Sequence, residues 1–471
     1  MSVLLPNLLL QAHDLSSEFD TSREYQNHVT RIAERTLALP MGRAVFTFGS
    51  VQIVTREAYA IPRMEYSLRL HPQNVLVAPE IGKIPLDSLQ WGNFHNGVAA
   101  GLRIAPTARG VESSWIKFNK PTDLSAEHAG FLFALGLTGH LREMLTWHTF
   151  SYLTPKHDFT SIAVLLGLSA ANAGNSNRHV TKLLAVHTPA LLPTPTVDLN
   201  VPMITQAAGL SGIGLLYMGT KNRRMAEVCL GQLNRRDLIQ PDVTNEYRES
   251  YTLCAALAFG MVMLGKGSDV PADLALLSRL RALIHGEGYA LSGVKPTQPS
   301  FDVNLTSPAA TIALGFMYLR TERRDVADIL TIPDTILNLE KVPPAQLLLR
   351  TLSRSLIMWD SIAATHDWIF AQVPATILRA VLQDAQTDAG KAHQTYDLAY
   401  WNIVAGACFA IGLKFAGTAA SEAYELLLKH FDKFSVVAYS PGKSGSVVAL
   451  ATLTAFARSS IRAPYQESGD T

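Results

Sequence analysis

The chain has 471 residues, of which 48% are apolar, and its 40 Lys and Arg against 39 Asp and Glu leave a formal charge of +1. That apolar share excludes a disordered chain and supplies a sizeable core. The balance of charge excludes a global field that would gather nucleic acid or anionic lipid, so neither is an expected partner.

The first 90 residues differ from the rest. The opening MSVLLPNLLLQAHD is apolar, but it has no basic region and no small-residue cleavage site, and it does not read as a signal peptide. Residues 20–38 have the spacing of one amphipathic helix. RAVFTFGSVQIVT (43–55) and RMEYSLRLH (63–71) alternate apolar and polar residues and predict strands. Residues 1–90 are therefore expected to form a short mixed α/β flank packed on the remainder of the chain.

From residue 91 one pattern returns. HNGVAAGLRIAP, EHAGFLFALGLTGH, TSIAVLLGLSAANAG, AAGLSGIGLLYMGT, SYTLCAALAFGMVMLGKG, SPAATIALGFMYLRT and NIVAGACFAIGLKFAGT align on one glycine each: Gly101, Gly136, Gly167, Gly214, Gly260, Gly315 and Gly412. LLLRTLSRSLIMWD (347–360) fits the series without the glycine, and SVVALATLTAFA (446–457) is a weaker copy. Recurrence every few tens of residues, with variable insertions, is the signature of a solenoid or related array.

Small residues lie six and two places before the shared glycine: Gly130 and Ala134, Ala208 and Gly212, Cys254 and Ala258, Ala309 and Ala313, Gly406 and Ala410. A spacing of four puts each pair on one helix face, where small side chains let a neighbouring backbone come close. Five places after the shared glycine come Gly219, Gly265 and Gly417, placed to end the helix in the left-handed cap conformation. RRMAEVCLGQL, PADLALLSRLRALI and SEAYELLLKHF then show apolar residues at helical spacing. Each unit thus reads as a close-packed helix, a glycine turn and an amphipathic helix. The fold class is all-α, an α/α solenoid or toroid over residues 91–457. The insertions 188–202, 286–304 and 360–395 read as loops, and the tail 458–471 as disordered.

Small residues in apolar helices also drive packing inside membranes. The apolar segment 250–265 would rise roughly 24 Å at ~1.5 Å per residue, short of a ~30 Å hydrocarbon core. The other copies are expected to be no longer, so no membrane partner is expected.

Motifs for chemistry are sparse. GLSGIG (209–214) lacks the order and the preceding strand of a dinucleotide loop. SPGKSGS (440–446) holds Gly442, Lys443 and Ser444, but Val437 stands where a phosphate loop needs glycine. His140, His148 and His157 have no cysteine nearby, so no metal is expected. Cys229, Cys254 and Cys408 lie far apart in apolar surroundings, which fits a reducing compartment. The close-packed helices carry almost no Asp or Glu, which disfavours the paired carboxylates of an α-toroid glycosidase. No catalytic residue and no cofactor are expected. The basic clusters 221–224, 235–236 and 323–324 read as solvated helix ends.

In order along the chain, LPMGRAVFTFG (39–49), HNGVAAGLRIAP (95–106), EHAGFLFALGLTGHL (127–141), GIGLLYMGTKNRRMAEVCL (212–230), ESYTLCAALAFGMVMLGKGS (249–268), LLLRTLSRSLIMWD (347–360) and NIVAGACFAIGLKFAG (402–417) resemble proteasome/cyclosome repeats. More narrowly, they are similar to the subunit-one family of the anaphase-promoting complex. The resemblance implies an all-helical toroid and a non-catalytic scaffold in a ubiquitin ligase. The partners it implies are the cullin-containing module, the tetratricopeptide-repeat subunits, the Doc-domain subunit and the coactivator, in nucleus and cytoplasm. Members of that family have a long N-terminal region and further repeats not found in this sequence, so the resemblance implies either a fragment or a shortened chain, in which the ring would be open. The alternative is a platform subunit of the proteasome regulatory particle that binds ubiquitin-like domains.

Overall fold

The structure is a computed structural model, and it describes residues 68–70, 74–77, 86–192, 200–235, 245–270, 274–286, 301–383 and 391–438, with Ile61, Thr454 and Ile461. Strands β1 (Leu68–Leu70) and β2 (Val75–Val77) form an antiparallel ribbon in which Leu68 faces Val77. Asn74 turns the chain between them at a φ of 53°, a conformation asparagine tolerates. β1 falls within the 63–71 stretch. The expected helix 20–38, the strand 43–55, the 440–446 motif and nearly all of the 446–457 copy lie outside the described residues.

Everything from Leu86 onward, among the described residues, is helix and turn, arranged in two rows. The inner row is α1 (Leu86–Gly101), α3 (Ala126–Leu137), α5 (Asp158–Ala171), α7 (Met203–Leu216), α9 (Asn245–Val262), α11 (Val303–Met317), α14 (Pro344–Ile357) and α17 (Lys391–Lys414). Each packs against the next in that order. Between them lie the outer elements α2 (Ser113–Phe118), α4 (Thr146–Leu153), α6 (Arg178–His187), α8 (Arg223–Gln232), α10 (Leu276–His285), α12 (Arg324–Ala327), α13 (Ile336–Leu339), α15 (His366–Ala371), α16 (Ala375–Gln383) and α18 (Ser421–Ala438). α4, α6, α8 and α10 each lie on the inner helix that comes after it, and α18 lies on α17, which precedes it.

Composition explains the two rows. α5 buries Phe159 through Leu165 without a break, because it has neighbours on most sides. α8 buries only Met225, Ala226, Cys229 and Leu230, one stripe at helical spacing, and turns its charged residues outward. Asn177, Asn222, Asp302 and Thr365 accept backbone N–H groups at the starts of α6, α8, α11 and α15. The core runs as one apolar cluster from α1 to α12, joined by Ile357 of α14, and a second, adjoining one from α13 to α18.

Two expectations change. The described part of residues 360–395 is not a loop: it contains α15, α16 and the start of α17. Their apolar residues are helically spaced, and Ile369, Val373 and Ile377 are buried. α17 is also longer than the other copies, and its window Thr395–Lys414 is long and apolar enough to cross a bilayer. Length therefore does not separate this helix from a membrane span, but packing does. The window is 61% buried, with α14, α16 and α18 against it. Its one basic residue near the end, Lys414, donates from Nζ to the carbonyls of Trp359, Asp360 and Ile362 at 3.0, 3.1 and 2.8 Å. That charge closes the exposed carbonyls of the neighbouring turn.

Candidate functional site

The recurrent small residues lie on two opposed faces of the inner helices. At ~100° per residue, a residue two or six places back lies roughly 200° or 240° around the helix, on the other side. Gly101 faces Ala134 and Phe131 of α3, Gly136 faces Gly167 of α5, and Gly214 faces Ala258 of α9. Gly260 faces Phe316 of α11, and Gly315 faces Ser353 of α14. All of these look forward along the row. Gly130 looks back to the Phe94 carbonyl of α1, Gly212 to Ser169 of α5 and Leu184 of α6, and Gly406 to the Leu348 carbonyl and Thr351 of α14. Gly167 departs from the rule, with Leu141 and Gly136 beside it. Ala134, Ala208, Ala309, Ala313, Ala410 and Gly412 are buried in the same row. A helix between two close neighbours needs two small faces, and the shared glycine and its upstream pair occupy them.

The turns that end α5, α7, α9 and α11 bond to the next unit. Gly219 N–H donates to the Met261 carbonyl at 2.8 Å, Gly265 N–H to Phe316 at 3.0 Å and Gly174 N–H to Leu215 at 3.0 Å. Arg320 N–H does the same to Leu356 at 3.0 Å. Two residues on, Ser176, Lys221 and Glu322 N–H groups reach Leu216, Val262 and Ile357. In each case the cap residue bonds the carbonyl just after the shared-glycine position of the next inner helix, where helix-end carbonyls lack intrahelical partners. That register identifies the missing glycine of α14 as Ser355, a buried residue whose hydroxyl donates back to the Thr351 carbonyl at 2.8 Å.

The caps have φ near 70°: Gly219 at 70°, Gly265 at 65°, Gly417 at 70°, and Arg320 at 59° with a full side chain. A Cβ added at Gly219 would meet nothing within 4 Å, so only the left-handed backbone opposes a side chain there. Gly219→Ala is therefore expected to cost about 1 kcal/mol in urea unfolding. A change near zero would mean that the turn relaxes without strain.

Among the described residues, no group of three His, Cys, Asp or Glu side chains converges. His140 Nε2 bonds the Ala105 carbonyl, His148 Nδ1 bonds Ser113, and His157 Nδ1 caps α5 through Thr160. The three lie in separate contacts. Cys229 and Cys408 are fully buried free thiols, and burial pushes the Cys229 thiol up to about 12. A thiol held in that state is inert. Gly97, Gly209 and Gly267 also take close contacts, with Glu127, Thr188 and Tyr318, and the shared-glycine alignment passed over them. Gly97 stands four before Gly101, the same small-residue spacing, and could have been found by it.

Residues 178–460 match the family model described as the APC1 fifth domain, and residues 5–173 match that of the APC1 fourth domain. The chain belongs to the anaphase-promoting complex subunit 1 family. It is 39% identical over 453 residues to anaphase-promoting complex subunit 1 of Homo sapiens, covering 91% of this chain and 23% of that protein. It is 38% identical over 423 residues to the negative regulator of mitosis of Emericella nidulans, covering 89% of this chain and 20% of that one. The Schizosaccharomyces pombe subunit 1 is 37% identical over 415 residues, covering 88% and 27%. The chain thus spans about a quarter of the length of these relatives. The two family models meet in the turn between α5 and α6, where Gly174 and Ser176 bond across to α7. The proteasome alternative finds no support among these relatives.

Proposed function

We propose that the chain is a non-catalytic scaffold segment of the anaphase-promoting complex, acting in cell-cycle control through ubiquitin-dependent degradation. The observation that carries this is the series of inner helices, each packed on the next and bonded at their ends from α5 to α14, in a chain whose relatives are named as subunit 1 of that complex. Such a series holds its outer loops at fixed separations, which is what joining several partners requires. In this reading the hairpins are proteasome/cyclosome repeats that curve toward a ring, and the small residues at the inner seam maintain the curvature. The partners are the cullin-containing module, the tetratricopeptide-repeat subunits, the Doc-domain subunit and the coactivator, in nucleus and cytoplasm.

Co-expression of the tagged chain with those modules is expected to yield a stoichiometric complex on size-exclusion chromatography. A chain that elutes alone, or that captures ubiquitin-like domains in preference to the ligase subunits, would sink the proposal.

A further inference from the structure

The outer row thins over α14. α6, α8 and α10 each run ten residues, whereas α12 runs four and α15 six. Between α12 and α15, Thr351, Arg354 and Ser355 of α14 floor a cleft of 540 Å³. Met358, Trp368 and Val373 give it apolar walls, and Arg324, Arg354 and Asp328 supply its charges.

α14 differs from the other inner helices in carrying two arginines one turn apart, Arg350 in its middle and Arg354 in its last turn. Arg350 is only 7% exposed. Its Nη1 donates to the carbonyl of Thr331, a cleft residue, at 3.1 Å, and its Nε meets no acceptor. A guanidinium does not lose its proton, so burial leaves a poorly compensated cation behind the cleft wall. Arg354 pairs with Asp328 at 3.3 Å in a half-exposed contact. Arg324 is exposed and makes no ion pair among the described residues. Two guanidiniums, Arg324 and Arg354, therefore line the cleft with one carboxylate, Asp328, and the Arg350 cation lies behind its wall. The volume is that of a site for a few side chains rather than a whole domain.

We propose that this cleft is the docking site for an extended acidic segment of a partner polypeptide. Its carboxylates pair with the guanidiniums of Arg324 and Arg354, which present planar donor pairs suited to them. An apolar side chain of the same segment packs on Trp368 and Met358. Charge complementarity selects this occupant: an uncharged segment would fill the walls and leave the excess cations as they are.

The test uses the full chain and two fluorescein-labelled octapeptides, Glu-Phe-Glu-Leu-Glu-Phe-Glu-Leu and the same peptide with glutamine for every glutamate. Fluorescence anisotropy is expected to show salt-sensitive binding of the acidic probe, with the glutamine probe about tenfold weaker or more. Arg324→Glu with Arg354→Glu should abolish binding of the acidic probe, and Asp328→Asn should tighten it several-fold. Arg324→Glu alone, at an exposed site with no ion pair, keeps the test valid if the double variant unfolds. Equal binding of the two probes, indifference to charge reversal, or no binding of the acidic probe at low salt would overturn the proposal. Co-purification of the charge-reversed chain with the ligase modules reads the scaffold role separately, since those modules do not depend on the probe.

Discussion

Gly130→Ala is expected to lower the stability of the chain by about 3 kcal/mol, the upper end of what overpacking a core costs. On α3, Gly130 faces the Phe94 carbonyl of α1, and on α1, Gly97 faces the Glu127 carbonyl beside α3's first turn. A methyl at either position overlaps a backbone oxygen rather than the tip of a side chain, so the two helices must part. Every contact between them, in the row's first step, weakens together. Gly212 supplies the contrast, because a Cβ there meets Ser169 Oγ at 2.7 Å and Leu184 Cδ2 at 2.8 Å. Those are side-chain ends that can turn away, and Gly212→Ala should cost less than Gly130→Ala. Gly231 of α8 meets nothing within 4 Å, and Gly231→Ala should gain a few tenths of a kcal/mol from helix propensity. Urea midpoints ranked in any other order would contradict the assignment of Gly130 to a backbone-to-backbone contact.

The same contrast explains what could be read in the residues beforehand. A left-handed cap is a local requirement, and Gly219, Gly265 and Gly417 announce it in their own unit. Arg320 does not, because its φ of 59° is imposed by the bond from its N–H to Leu356, in the next inner helix. Ser355 holds the place of a glycine for a similar reason: its register is defined by the turn at Arg320 and not by its neighbours in sequence. Buried inner helices declare themselves through continuous apolar composition. α15 and α16 do not, since each is under ten residues and places few side chains in the core. The lone Lys414 in an apolar helix is explained only once α17 lies beside the turn 359–362.

Acid is expected to destabilise the chain through two buried histidines. His430 of α18 is 1% exposed, and neither ring nitrogen has a hydrogen-bond partner. His128 of α3 is 7% exposed, with Nε2 unpartnered. Burial comes first in pulling both down from 6.5 to about 4, with Lys433 and then His366 adding to it at His430, and Lys120 at His128. The His366 ring, 5.2 Å away on α15, is itself lowered by burial and by Lys433 and Lys429. Both histidines therefore take up a proton in the unfolded chain at higher pH than in the folded one. Above pH 6.5 neither state is protonated and stability is flat. As pH falls from 6.5 to about 4 the unfolded state gains protons that the folded state refuses, and stability drops. The slope approaches about 1.4 kcal/mol per pH unit for each histidine, or on the order of 3 kcal/mol each across the window. Replacing both with phenylalanine keeps their ring contacts with Tyr152 and His366 and removes the titration. Urea unfolding of the wild type should therefore fall more steeply with acid than that of the double variant. Parallel curves would show that the two rings reach water before the chain unfolds, and that α3 and α18 are looser in acid than their burial implies.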